Sequence, residues 1–333
     1  MENLSVEQAR SAFDALSGSG LTATQNLALQ SSRAFSASLQ PRAVLEPGAP
    51  QLWASLLGEG TRLRGDPGTG SASTRDHLGG MALGMEQSLS ARARVGAALG
   101  FTRGTFSAES VQASGSVRGW HAGVHGQWQF EPAYADARLT YSGFDNHVSR
   151  SIPAFGGLLP QSAQADFSSR AWRARVELGR ALELRTDGDA TGHLTPYAAL
   201  ELAQLRSHGF AEAGAATAGL SVGTQDTRST LSHLGARLEH RQALSNGMTL
   251  APSLDLAWVH EFSPRRGMTA AFSAAPDVLF TVDGAQAARD ALAVKVAAEL
   301  ALSRNASLHA RIGGELSRQA TSHSGQVALL LRW

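Results

Sequence analysis

The sequence predicts an all-β protein: a twelve-stranded antiparallel transmembrane β-barrel with an N-terminal α-helix inside its pore. Three observations lead to this prediction. Apolar and polar residues alternate with a period of two along most of the chain after Pro50. The alternating segments are about 10 to 15 residues long, whereas strands in soluble proteins are mostly five or six residues long. The connections between the segments are alternately long and short.

The alternation places small apolar residues on one face of each strand and polar residues on the other. In the segment 133–142, for example, Leu139 and Tyr141 lie opposite Asp136 and Arg138. The apolar face consists mainly of Ala, Gly, Val and Leu, and aromatic residues lie near strand ends, which is typical of a membrane barrel. These aromatic residues are Trp120, Trp128, Tyr141, Trp172 and Trp333.

The connections distinguish a membrane barrel from a soluble sheet. The predicted strands are 50–58, 76–87, 90–104, 114–130, 133–145, 164–183, 194–208, 228–243, 248–262, 288–302, 305–318 and 322–333. Connections after odd strands are mostly long and those after even strands mostly short, with 319–321 and 184–193 as the exceptions. Outer-membrane barrels show this alternation of long outer loops and short periplasmic turns, together with an even number of strands.

The N-terminal segment has helical character. A capping pattern at Ser5 and Gln8 precedes a helix over 6–16, and a second pattern at Thr22 and Gln25 precedes a helix that runs to Gln40. The second helix is polar, so it suits either a protein surface or the lumen of a twelve-stranded barrel, which has room for a helix. We therefore divide the chain into a linker with a pore helix, 1–42, and a barrel, 43–333. The pore-helix candidates are Gln25, Asn26, Gln30 and Arg33.

The polar faces of the strands predict the lining of the pore. Both signs of charge are present, so we expect a polar lumen without strong ion selectivity. The pore-lining candidates are Asp136, Arg138, Arg173, Arg175, Glu177, Arg237, Glu239, Lys295, Glu299, Arg311 and Glu315.

Composition and motifs exclude several classes of function. A net charge of +1 gives no electrostatic basis for binding nucleic acid, and the absence of Cys excludes thiol catalysis and Cys-ligated zinc. His260–Glu261 is not part of an HExxH motif, and GLSVG at 219–223 lies in a predicted loop rather than before a helix. His121 and His125 lie roughly 13 Å apart along one strand, too far for one metal ion. We therefore expect no catalytic site, no cofactor and no metal.

Several stretches carry a family likeness that spans nearly the whole chain. They are LSVEQARSAFDALSG at 4–18, LWASLLGEG at 52–60, FAEAGAATAGLSV at 210–222, AWVHEF at 257–262, FTVDGAQAARDAL at 280–292 and VALLLRW at 327–333. In these stretches the chain resembles the C-terminal translocator domain of bacterial autotransporters, the type V secretion proteins. One departure is Ser19, where an acidic residue is common in the family.

The resemblance implies a monomeric barrel integral to the bacterial outer membrane that exports an N-terminal passenger. It implies outer-membrane lipid, the outer-membrane assembly machinery, periplasmic chaperones and the protein's own passenger as partners. The terminal strand would carry the assembly signal on Val327, Leu329, Leu331 and Trp333. Because no signal peptide precedes the first helix, we expect Met1 to be an internal boundary of a longer protein.

Three alternatives remain open from the sequence. The first is a stand-alone porin or adhesin-type barrel whose function lies in its loops. The second is a soluble β-rich binding domain such as a lectin. The third is the C-terminal part of a surface protease or esterase whose activity lies in the passenger.

Overall fold

The computed structural model describes residue 5 and residues 13–39, 50–66, 68–154, 159–184 and 191–332, in which antiparallel strands form a closed barrel. Its strands are β1 (Pro50–Leu63), β2 (Thr74–Ser90), β3 (Ala93–Ala108), β4 (Ala113–Phe130), β5 (Ala133–Ile152), β6 (Gln161–Arg180), β7 (Leu182–Leu184), β8 (Thr191–Ser207), β9 (Phe210–Ala211), β10 (Leu220–Val222), β11 (Gln225–Ala243), β12 (Thr249–Glu261), β13 (Gly267–Phe272), β14 (Ala275–Asp283), β15 (Asp290–Ala301), β16 (Ala306–Leu316) and β17 (Ala320–Arg332). Twelve of these described strands form the wall, and β7 is a short additional partner of β8.

The barrel closes where the first strand meets the last. β1 pairs with β17 in antiparallel register, with Leu52 opposite Leu331 and Leu56 opposite Val327, and β1 also pairs with β2. Closure pairs the backbone groups of what would otherwise be two sheet edges, which matters because hydrocarbon offers no alternative hydrogen-bond partner. The predicted twelve-stranded antiparallel fold is therefore confirmed.

Several strands extend further than the sequence pattern predicted. Residues 59–63, 105–108 and 146–152 were predicted as loops, but they belong to β1, β3 and β5. The turn predicted at 88–89 lies after Ser90 instead. These predictions were wrong because polar residues at strand ends resemble loop composition, although their backbones remain paired with the neighbouring strands.

The two longest connections contain a small sheet that the sequence did not predict. Strands β9 and β10 follow β8, while β13 and β14 follow β12, and they pair in the order β14-β13-β10-β9. We call this end of the barrel the loop end. The small sheet buries Leu220, Val222 and Met268 in one cluster with Leu21 from the N-terminal segment. The chain therefore folds over the loop end of the pore.

The pore helix (Ala23–Ser38) passes through the barrel after a 3₁₀ turn at Ser19–Thr22. Residues 13–17 are also helical, whereas the rest of the helix predicted over 6–16 lies outside the described residues. No helix among the described residues has the length and apolarity needed to cross a membrane.

The capping box predicted at Thr22 and Gln25 does not form. The Thr22 hydroxyl donates to the carbonyl of Ser19 at 2.7 Å, and the Gln25 side chain donates to the carbonyl of Gly267 at 3.2 Å. The preceding 3₁₀ turn holds Thr22 in a helical conformation, so its hydroxyl bonds back within the turn.

Candidate functional site

The pore helix packs tightly against one side of the lumen, formed by β2 to β5, which we call the packed side. Phe35 stacks on His121 with ring centroids 5.0 Å apart. A Cβ atom at Gly100 would lie 2.6 Å from Phe35, and one at Gly104 would lie 2.6 Å from Leu27. Glycine at these two positions therefore permits the close approach of helix and wall.

A buried polar network supports the same contact. Ser31 Oγ lies 2.6 Å from Thr102 Oγ1, and His121 Nε2 lies 2.8 Å from the same Thr102 oxygen. His121 Nδ1 lies 2.8 Å from Ser142 Oγ. His121 therefore bonds to hydroxyl groups on both ring nitrogens, which is a structural arrangement rather than a metal site.

The opposite side of the lumen holds the helix through charge, and we call it the charged side. The Arg33 guanidinium donates to both carboxylate oxygens of Glu315 on β16, at 2.6 and 3.0 Å. Arg173 on β6 donates to the carbonyl of Leu29 at 2.8 Å and to Ser32 Oγ at 3.0 Å, and it pairs with Glu201 on β8. Bidentate arginine contacts fix orientation as well as distance.

A ladder of ion pairs runs from these contacts around the wall. Arg175 bonds to Glu177 at 2.8 Å and to Glu201 at 3.3 Å. Arg237 lies 3.4 Å from Glu177 and 3.2 Å from Asp255. Arg138 bonds to Asp136 at 2.7 Å. Buried charges require such pairing, because an unpaired charge in a low-dielectric interior is costly.

The remaining pore-lining candidates lie at varied depths. Lys295 and Arg311 line a cavity beside the helix. Glu299 is half-buried, 3.9 Å from Arg332, and Glu239 is exposed. Glu201, Asp255, His233 and Glu59 also face the lumen, although the sequence analysis did not select them. Glu201 alternates with apolar neighbours on β8, so the pattern that identified the others could have found it.

The pore-helix candidates all face the surrounding protein. Asn26 donates to the carbonyl of Ala285 at 3.3 Å, and Gln30 donates to Asp76 at 3.4 Å. Together with the bond from Gln25 to Gly267, these contacts join the helix to β2 and to the connection after β12. The polar character of the helix is thus matched by polar partners on the wall.

A buried arginine ties the N-terminal segment to the loop end. Arg150 near the end of β5 forms a bidentate pair with Glu212 at 2.5 and 2.7 Å. The same guanidinium donates to the carbonyls of Ala15 and Ala218 at 2.7 and 2.9 Å. One side chain therefore joins a wall strand, a long connection and the segment that enters the pore.

A second buried arginine lies in the connection after β12. Arg266 donates to the carbonyl of Ser263 at 2.6 Å and lies 3.4 Å from Glu261. Burial lowers the pKa of the Arg266 guanidinium, while the adjacent Glu261 carboxylate opposes that shift. Among the described residues, no group of three or more His, Asp or Glu side chains is arranged to hold a metal ion.

The last strand presents an apolar row to the outside of the barrel. Val327, Leu329 and Leu331 are 49%, 43% and 46% exposed, while the intervening Leu330 is buried. Trp333, the fourth residue of the predicted assembly signal, lies outside the described residues.

An apolar outer surface, a closed wall and a charged interior occupied by a helix define an outer-membrane β-barrel with an occupied pore. The autotransporter beta-domain family model matches residues 52–313, and the chain belongs to this family. The protein is an integral component of the bacterial outer membrane and acts there as a translocator domain.

Three solved structures of autotransporter domains share this fold. The chain resembles the translocator domain of the autotransporter NalP from Neisseria meningitidis, with a TM-score of 0.71 and 18% identity, over 94% of this chain and 97% of that one. The transport unit of AIDA-I from Escherichia coli gives a TM-score of 0.61 and 14% identity, over 95% and 98% of the two chains. The beta domain of the Bordetella autotransporter BrkA gives a TM-score of 0.61 and 20% identity, over 86% of this chain and 100% of that one.

Curated relatives are much longer than this chain. An extracellular serine protease of Serratia marcescens is 25% identical over 84% of this chain, but the match covers 26% of the protease. The esterase EstA of Pseudomonas aeruginosa is 25% identical over 70% of this chain and 35% of its own length. The chain thus spans about a quarter to a third of these relatives.

Proposed function

We propose that this barrel exports an upstream passenger and that the pore helix is the trailing part of the exported chain. The division of the chain into a linker with the helix, 1–42, and the barrel, 43–333, follows from this proposal. The observation that carries it is the path of the N-terminal segment. Residues 13–17 lie at the loop end, where Arg150 holds Ala15, and the helix then runs into the lumen. Long loops face the outside in such barrels, so this path points an upstream segment toward the cell surface.

The passenger would carry the biochemical activity of the whole protein. The relatives named as a serine protease and an esterase each extend far beyond the region matched here. We infer that a surface hydrolase is the best candidate for the passenger and that the barrel itself performs no catalysis. A stand-alone porin is less well supported, because the helix fills much of the lumen.

An export assay tests this function. An epitope tag placed before Ser5, behind a periplasmic targeting signal, should become accessible to antibody on intact cells. The control carries the same tag on a chain that ends before β17, which cannot close the barrel. A tag that stays inaccessible while the full barrel is assembled in the membrane would rule out export.

Assembly into the membrane would depend on the terminal strand. We propose that the assembly machinery and periplasmic chaperones recognise Val327, Leu329, Leu331 and Trp333. Replacement of Trp333 by Asp should greatly reduce the fraction of folded barrel, which migrates faster on a denaturing gel before boiling than after it. Arg332→Ala is the matched control on the neighbouring position, and equal losses from both variants would contradict a role for the aromatic residue.

A further inference from the structure

An open groove of about 720 Å³ crosses the outer face of the barrel, over the junction of β17, β1, β2 and β3. Its floor is a row of three glycines that lie directly opposite one another. Gly325 pairs with Gly58, and Gly58 pairs with Gly79. A Cβ atom at Gly79 or Gly325 would meet nothing within 4 Å. The groove therefore exists because three neighbouring strands lack side chains at the same level of the wall.

Two pairs of arginines border this groove. Arg103 on β3 lines the groove beside Gly79, and Arg118 on β4 lies directly opposite Arg103. Closer to the loop end, Arg62 on β1 lies directly opposite Arg75 on β2. All four arginines are exposed on the outer face. Residues directly opposite in antiparallel strands have Cβ atoms about 5 Å apart, so each pair places two positive charges side by side.

The two arginine pairs are separated along the strands. Four residues lie between the levels of Arg75 and Gly79, the residue opposite Arg103, which corresponds to about 13 Å. His77 on β2 and His323 on β17 line the groove between these levels. Two positive positions at this separation suit two anionic groups on one ligand better than a single anion.

A carboxylate lies beside each arginine pair. Glu109 lies 3.6 Å from Arg75, and both side chains are largely exposed, so this ion pair is weak. Asp145 on β5 lies opposite Arg118. In the part of the chain that the structure describes, each pair thus sets two guanidinium groups against one neighbouring carboxylate. Like charges directly opposite one another destabilise a strand pair, and a bound anion would relieve that repulsion.

The wall becomes apolar on the side of the glycine row away from the loop end. The next row across β17, β1, β2 and β3 consists of Val327, Leu56, Met81 and Phe101. Met81 and Phe101 also line a second groove, of about 1140 Å³, whose other residues include Leu83, Leu99 and Leu329. Trp120 lies opposite Phe101, and aromatic residues at such a level mark the membrane interface. A basic groove therefore lies at the headgroup level and continues into an apolar groove at the level of the acyl chains.

We propose that these two grooves bind one lipid of the outer leaflet whose headgroup carries two phosphate groups. Each arginine pair holds one phosphate, because guanidinium groups form parallel charge-assisted bonds to phosphate oxygens. The acyl chains lie in the apolar groove beyond Met81 and Phe101. Long loops face the outside in such barrels, which places the basic groove in the outer leaflet. The site requires only the barrel in its membrane, so the proposal does not depend on passenger export.

Lipid binding to the full chain in a neutral detergent tests the proposal, with native mass spectrometry as the readout. One molecule of diphosphoryl lipid A should bind per barrel. Monophosphoryl lipid A should bind about tenfold more weakly, since one arginine pair then lacks a phosphate. An excess of inorganic phosphate should not displace the lipid, because the acyl chains contribute to its binding.

Three outcomes of this titration would overturn the proposal. Equal affinity for the two lipids would exclude recognition of two phosphates. Displacement by inorganic phosphate would show an anion site rather than a lipid site. A barrel that binds neither lipid at saturating concentration would have no such site at all.

A double substitution tests the arginines. Arg103→Gln with Arg118→Gln should weaken the binding of diphosphoryl lipid A by about tenfold or more. The matched control is Arg170→Gln with Arg206→Gln, an exposed pair that lies directly opposite on β6 and β8 and does not line the groove. The control should change the affinity by less than about twofold. Equal losses from the two double variants would show that the lipid responds to surface charge alone, against a site in the groove.

A further variant tests the groove without changing any charge. Gly325→Leu fills the glycine floor, and the open space around a Cβ atom there should let the barrel fold, which its mobility on an unboiled gel checks. It should weaken the binding of diphosphoryl lipid A by about fivefold or more. Gly126→Leu on β4, where a Cβ atom makes only ordinary contacts, is the control outside the groove. Unchanged affinity in folded Gly325→Leu would place the lipid elsewhere and overturn the proposal.

Discussion

The packed side and the charged side of the lumen hold the same helix by different physical means. On the packed side, glycines at 100 and 104 let Leu27 and Phe35 reach the backbone of the wall, and both side chains are fully buried. On the charged side, Arg33 and Arg173 reach from helix to wall; Arg33 lines two cavities and Arg173 lines one of them. Shape complementarity fixes the helix against one half of the barrel, and long charged side chains span the distance to the other half.

The difference shows why a barrel of this size can be occupied without being filled. A single helix is narrower than the lumen, so close packing on one side leaves space on the other. Arginine is suited to that space because its long side chain ends in a planar group that makes several bonds at once. We expect substitutions on the packed side to displace the helix. Substitutions on the charged side should destabilise the folded barrel or open its pore.

The largest effect is expected from filling the close approach on the packed side. Gly104→Leu would place a side chain where Leu27 now lies and should force the helix out of its seat. The single-channel conductance should rise toward that of a barrel from which residues 1–40 have been deleted.

The matched control is Gly79→Leu on β2. A Cβ atom there meets nothing within 4 Å, so the added side chain should leave conductance unchanged. If Gly104→Leu conducts like the unaltered barrel, the packed side does not determine where the helix sits.

A smaller effect, a loss of folding stability, is expected from Arg173→Met on the charged side. This change removes one donor from the Leu29 carbonyl, which still accepts from the Ser32 hydroxyl at 3.0 Å. It also deprives Glu201 of one of its cations, although Arg175 remains at 3.3 Å. Breaking a buried pair in this way should lower the free energy of unfolding by about 3 kcal/mol. Urea titration of the barrel in detergent measures the difference.

Arg170→Met on the outward face of the same strand is the comparison for Arg173→Met. Arg170 is exposed, so its replacement should change the free energy of unfolding by less than about 0.5 kcal/mol. Equal losses at the two positions would show that the lumenal contacts of Arg173 add no stability.

The smallest effect is expected from Ser31→Ala. The helix keeps its apolar contacts, and Thr102 keeps His121 as a partner. The free energy of unfolding should therefore fall by about 1 kcal/mol. Thr102→Val should lower the free energy of unfolding by more, because it also removes the bond to His121. The double variant should lose less than the sum, because both changes remove the bond between Ser31 and Thr102. Strict additivity in urea titrations would contradict a direct bond between Ser31 and Thr102.

Much of the wall was predictable because the alternation of apolar and polar residues is local information. Arg173 and Arg175 could be assigned to one face from their spacing alone. Their partners on other strands could not be assigned, since Glu201 reaches Arg173 only through the register between β6 and β8. The Thr22 capping pattern failed for a related reason, because the 3₁₀ turn before it packs against the small sheet at the loop end.

The sequence by itself determined the number of wall strands, the face that meets lipid and the presence of a polar helix before the first strand. These features follow from a period of two in the strands and a helical segment bounded by Pro41, each of which is set by neighbouring residues. Only the tertiary structure decided which side of the lumen the helix packs against, which arginine meets which carboxylate and where space remains. Those outcomes depend on strand register and on the distances across the closed barrel, which bring together side chains that are far apart in the chain.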